Sequence, residues 1–169
     1  IPMLNYHKKQ RYPISEKPSP NLPNDQSINL YPSLCFFEGT QVSIGRGTDF
    51  PFQVFGSPWL KNHPFKFTPK PNFGAKDPFL NGKICNGEDL RNYPEIKEKL
   101  DLSFVINAYK NFDKKSQEFF LKNLWFDTLA GTDELRKQII SGKSEEEIRN
   151  SWKQDLQNFE KIRTKYRIY

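Results

Sequence analysis

Apolar positions along this chain change their period near its middle. Before Leu90 they come as short blocks bounded by glycine or proline, "LCFFEG" (Leu34 to Gly39), "FQVFG" (Phe52 to Gly56) and "FKFTP" (Phe65 to Pro69), with "KICNGEDL" (Lys83 to Leu90) as a further candidate. Blocks of that length and punctuation predict strands. "FKFTP" alternates in the manner of a half-buried edge strand that Pro69 closes. After Leu100 the spacing becomes helical. Leu102, Val105, Ile106, Tyr109 and Phe112 share one face, with Asp101 placed to cap the start. A second helix is expected over "SQEFFLKNLW" (Ser116 to Trp125). A third starts at Thr132, with Asp133 and Glu134 in its first turn and Gly142 as its left-handed stop. "SEEE" (Ser144 to Glu147) has the form of a capping box. It predicts one long helix whose Ile148, Trp152, Leu156, Phe159 and Ile162 line up as a core-facing stripe.

These elements predict an α+β fold: a small mixed or antiparallel sheet with long turns in the N-terminal half, and three to four helices in the C-terminal half. The punctuation agrees, since twelve of the thirteen prolines lie at or before Pro78 and seven of the nine glycines at or before Gly87. "EKPSPNLPNDQS" (Glu16 to Ser27) predicts an extended, polyproline-like path. Residues 1–30 therefore read as a proline-rich lead-in, and residues 31–169 as a single domain.

Composition sharpens this picture. Hydrophobic residues are 36% of the 169-residue chain, but 15% of it is aromatic, and large rings supply burial that the aliphatic count lacks. A folded domain is expected despite a mean hydropathy of -0.79. The net charge of +6 is dispersed, with "HKK" (His7 to Lys9) the one notable cluster of the first half. A nucleic-acid interface concentrates its charge on one face, so that function is disfavoured. Cys35, Cys85, His7 and His63 make no zinc spacing, and neither a metal nor a cofactor is expected. A disulfide between the two cysteines and two separate buried thiols both fit the sequence. His63, followed by proline, reads as a surface histidine. No apolar run approaches the roughly 18 residues of a membrane span.

The candidate chemistry lies in "CFFEGTQVSIGRGTDFPFQVFGSPW" (Cys35 to Trp59). Gly45 and Gly47 flank Arg46, which lets the backbone turn with positive φ and leaves the guanidinium uncrowded. Its planar fork suits a carboxylate or vicinal oxygens. Glu38 is its simplest internal partner, across a short hairpin. The pair then either stiffens that hairpin or forms the wall of a binding cleft. Glu38 and Asp49 would be the carboxylates of a glycosidase pair, but nothing in the sequence sets them on two sides of a sugar; no catalytic residue is assigned.

"PSPNLP" (Pro18 to Pro23), "YPSLCFFEGTQVSIGRGTDFPFQVFGSPW" (Tyr31 to Trp59), Cys85 to Gly87 and the stretch from Ala130 to Tyr169 resemble the carboxy-terminal domain of the exo-β-N-acetylmuramidase (NamZ) family. The resemblance implies an exported bacterial protein of the periplasm or cell envelope, acting on MurNAc-terminated peptidoglycan fragments. It also implies that the catalytic carboxylates sit on a Rossmann-like amino-terminal domain, with the chain described by this sequence completing the cleft. On that reading Arg46 receives the lactyl carboxylate of muramic acid or nearby sugar hydroxyls, Glu38 orients Arg46 or accepts a sugar hydroxyl, and Asn21, Ser43 and Thr48 complete a polar wall. A non-catalytic glycan- or cell-wall-binding module is the alternative.

Overall fold

The computed structural model describes residues 14–94 and 99–167; the His7 to Lys9 cluster lies outside them. Three antiparallel strands form the sheet: β1 (Val54–Ser57), β2 (Phe65–Phe67) and β3 (Cys85–Asp89), in the order β1-β3-β2. β2 and β3 fall within their predicted blocks, β1 runs one residue past its own to Ser57, and β2 is an edge strand as its alternation requires. Gly87 stands opposite Gly56 on one side and Phe65 on the other.

The chain also forms α1 (Asp25–Leu34), α2 (Ser103–Asn111), α3 (Trp125–Ala130), α4 (Glu134–Ile140), α5 (Glu145–Ser151) and α6 (Lys153–Thr164). The fold is α+β, with more helices than the sequence pattern suggests.

The first difference is α1, which occupies the end of the stretch expected to be extended. Asn24 and Ser27 close a reciprocal capping box, with Ser27 N–H donating to Asn24 Oδ1 at 2.9 Å. That box starts the helix in spite of the prolines before it. Pro32 sits in the last turn, and Ser27, Leu30, Ser33 and Leu34 face inward.

The second difference follows directly. "CFFEG" is not a strand; α1 tightens into a 3₁₀ helix over Cys35–Gly39. Adjacent Phe36 and Phe37 are both buried because the turn is packed on two sides. Phe36 meets Phe126 of α3 at 5.6 Å between ring centroids, and Phe37 stacks on Phe55 of β1 at 4.8 Å.

The segment expected to be helical over 116–125 is largely irregular. Its phenylalanines are drawn into strand-like pairing instead: Gln41 N–H donates to the Phe119 carbonyl at 2.8 Å, and Leu121 N–H to that of Gly39 at 3.0 Å. Helix forms only from Trp125.

α2 begins as expected, with Asp101 Oδ1 accepting from Ser103 N–H at 2.9 Å. Thr132 Oγ1 accepts from Glu134 N–H at 3.2 Å, and Gly142 takes φ 80° after α4. The Ser144–Glu147 capping box is present. The long helix it was expected to open breaks at Trp152 into α5 and α6. Ile148 is fully buried and Trp152 packs against the core, but Leu156, Phe159 and Ile162 are 59%, 59% and 54% exposed. The stripe is real, but beyond Trp152 the core does not cover it.

Both thiols are free: Cys35 is in the 3₁₀ helix and Cys85 in β3. Burial, reinforced by the Glu38 carboxylate, pushes the Cys35 thiol up to about 11, and burial pushes Cys85 up to about 12. Thiolate is the reactive form. Ellman's reagent at pH 8 should therefore titrate neither thiol in the folded chain and both after denaturation. The unfolded chain ionises these thiols first, near the ordinary 9.0. The folded state then holds more protons, so their contribution to stability falls as pH rises above about 9.

Candidate functional site

Two glycines make the turn that presents Arg46. Gly45 and Gly47 take φ 79° and 81°, which a side chain rarely tolerates. Space excludes one as well: a Cβ on Gly47 would lie 2.7 Å from the Lys70 carbonyl oxygen, and one on Gly45 2.6 Å from Val54 Cγ2. Thr48 closes the turn, its amide donating to the Gly45 carbonyl at 3.1 Å and its hydroxyl to the same oxygen at 2.6 Å.

The turn is anchored to the sheet. Ser43 and Gly56 exchange backbone hydrogen bonds of 2.7 and 2.8 Å along the outer edge of β1. Arg46 then projects toward the 3₁₀ helix, where its Nη2 donates to Glu38 Oε1 at 2.6 Å. The expected pair forms, but between a 3₁₀ helix and a glycine turn, not across a hairpin. It uses one nitrogen of the fork. Among the described residues no other acceptor reaches this guanidinium, which lies over the Phe52 ring at 5.3 Å. The Arg46 side chain is 41% exposed and that of Glu38 23%. Donors remain open to solvent.

A pocket of about 220 Å³ adjoins the pair. Phe37, Val42, Ile44, Phe79 and Leu121 give it apolar walls, and Thr40, Ser43, Glu38 and Arg46 its polar part. Ser43 is buried, and its Oγ accepts from Gly45 N–H at 3.3 Å. Val42 and Ile44 flank Ser43 in sequence and were within reach of a pattern argument. Phe79 and Leu121 arrive from distant segments, and no local signal marks them.

The expected polar wall is split. Glu38, Ser43 and Arg46 share this pocket, whereas Thr48 lines a different concavity. Asn21 lies on that second side, its Nδ2 donating to the Gly74 carbonyl at 2.8 Å. Asn21 and Thr48 are thus not part of one wall with Arg46.

His63 is not the surface histidine expected from its neighbouring proline. Its side chain is 8% exposed, edge-on to Phe55 at 6.2 Å, with Nδ1 3.4 Å from Glu88 Oε1. Burial pushes the Glu88 carboxyl up, and His63 partly offsets the rise.

Comparison with known proteins assigns this arrangement to a family. The model of the exo-β-N-acetylmuramidase NamZ C-terminal domain matches residues 29–169, which include the 3₁₀ helix, the glycine turn and all three strands. The chain belongs to this family. It is 36% identical over 166 residues to the peptidoglycan β-N-acetylmuramidase NamZ of Bacillus subtilis (strain 168), covering 90% of this chain and 40% of that protein. A solved DUF1343 family protein of Bacteroides fragilis superposes with a TM-score of 0.88 at 43% identity, over 98% of this chain and 47% of that one. A second DUF1343 structure from the same organism, at 18% identity and a TM-score of 0.65, shares the fold. The NamZ-type domain thus spans less than half the length of these relatives.

Proposed function

We propose that this NamZ-type domain forms one wall of the glycan cleft of an exported peptidoglycan N-acetylmuramidase, with Arg46 receiving the lactyl carboxylate of a terminal muramic acid. The catalytic carboxylates belong to an amino-terminal domain of the same protein, and the enzyme works in the periplasm or cell envelope. The observation that carries the reading is the half-exposed Arg46 fork at the mouth of a mostly apolar pocket. A lactyl group is a methyl beside a carboxylate. Val42, Ile44 and Leu121 offer the methyl a dry wall, and the open guanidinium nitrogens offer the carboxylate charge-assisted hydrogen bonds. Glu38 fixes the direction of the fork before the sugar arrives, so less rotamer entropy is lost on binding.

The test is Arg46→Ala in the complete enzyme, assayed on a MurNAc-terminated disaccharide. Removing a charged hydrogen bond worth about 1.5–3 kcal/mol should lower kcat/KM by roughly 10- to 100-fold. The thermal midpoint should hardly change, because so exposed an ion pair contributes little to stability. Undiminished hydrolysis by a folded Arg46→Ala enzyme would leave the Glu38–Arg46 pair as internal bracing. Sugar binding by this chain with no hydrolysis restored on adding the amino-terminal part would favour a non-catalytic binding module.

A further inference from the structure

On the other side of the Gly45–Thr48 turn lies a second concavity, of about 540 Å³. Pro20, Pro23 and Pro51 give it rigid walls, and the ring of Phe73 stands at its rim. Phe73 is 93% exposed, on the connection between β2 and β3.

The turn that carries it is held firmly. Asn72 and Ala75 exchange backbone hydrogen bonds of 2.9 and 3.3 Å, and Asn72 Oδ1 accepts again from Ala75 N–H at 2.8 Å. Asn72 Nδ2 donates to the Thr48 carbonyl at 3.2 Å, and Asn21 Nδ2 donates to Gly74 from 53 residues away. Five hydrogen bonds thus keep an apolar ring in water.

Around the ring are polar groups with capacity to spare. Among the described residues no partner reaches the Asp49 carboxylate or the Lys17 ammonium, both exposed on the lining. Ser19 Oγ accepts from Asn21 N–H at 3.2 Å and keeps its own proton to donate. One flat apolar face beside an acceptor, a cation and a hydroxyl is the chemistry that recognises a pyranose. The ring's axial C–H face is apolar and packs on an aromatic, while its rim hydroxyls need a carboxylate to accept from them and donors to reach their oxygens.

We infer that this concavity is a second carbohydrate subsite, in which a neutral pyranose stacks on Phe73 and its hydroxyls bind Asp49, Lys17 and Ser19. The inference rests on the glycan reading above, but uses none of the residues of the Arg46 pocket. An apolar protein surface would cover Phe73 equally well, but would leave the Asp49 and Lys17 charges to be desolvated without partners.

The test is a titration of this chain, labelled with ¹⁵N, with fully N-acetylated chitotriose, a neutral trimer without any lactyl carboxylate. Amide shifts should appear at Thr48, Asp49, Asn72 and Gly74. Phe73→Ala should weaken the binding about tenfold, the scale of one aromatic contact, and Phe73→Trp should restore it. Arg46→Ala should leave it unchanged. Phe73 supports nothing beneath it, so the alanine variant remains folded. Three results would overturn the inference: no shifts at this turn, shifts that persist in Phe73→Ala, or shifts at Gly74 caused only by an added amino-terminal domain. If chitotriose fails here while Arg46→Ala still impairs hydrolysis, only the second subsite is lost. If chitotriose binds while Arg46→Ala hydrolyses normally, only the lactyl assignment is lost.

Discussion

Phe37→Ala is expected to bring this domain close to global unfolding. The ring is fully buried, stacks on Phe55 at 4.8 Å and lies where the 3₁₀ helix presses on the sheet. Its deletion removes apolar contact and leaves a cavity that the sheet and helix, tied by backbone hydrogen bonds, cannot close. The expected loss is about 3–5 kcal/mol. A domain of this size has about 5–15 kcal/mol in all. A large fall in the urea midpoint with an unchanged slope is the expected result. Phe37 also lines the Arg46 pocket, so on the proposed lactyl reading folded molecules of the variant should hold the sugar less tightly.

The second large effect lies two residues further on. A Cβ added to Gly39 would stand 2.4 Å from both the backbone N and Cα of Phe126. Those are backbone atoms of α3 and have no rotamer to change. Gly39→Val must therefore lift α3 off the 3₁₀ helix, pulling the fully buried Phe126 away from Phe36 at 5.6 Å and Phe120 at 4.8 Å. Overpacking of this kind costs about 3 kcal/mol at the upper end of its usual range. The thermal midpoint of the variant should fall accordingly. A midpoint equal to that of the parent would show that α3 can move freely, and that Glu38 is not held in place from this side.

How far the sequence anticipates these contacts depends on the range of each interaction. β1 and β2 were legible because proline closes them, Pro58 after β1 and Pro69 soon after β2, and the Ser144–Glu147 capping box because all its atoms lie within four residues. α1 was hidden by its prolines: Pro32 argues against helix, and only the pairing of Asn24 with Ser27 overcomes it. Phe119 and Phe120 sit at helical spacing from Asn123 and Leu124, yet their backbone is claimed by residues 39–41, some 80 positions earlier. No local pattern encodes that competition. At the site, the Glu38–Arg46 pair was readable because the glycines on both sides of Arg46 require a turn there. The parting of Asn21 and Thr48 from Arg46 was not, since it depends on Gly74 reaching back to the proline-rich entry. Phe73, whose exposure matters most, looks in the sequence like one more core aromatic.

Periodicity says which residues share a face and nothing about what covers that face; α6 makes the difference plain. Among the described residues this helix buries no side chain, and Leu156, Phe159 and Ile162 contribute nothing to the core that Ile148 closes. Unfolding the domain would therefore change little in the surroundings of those three side chains, which already largely meet water.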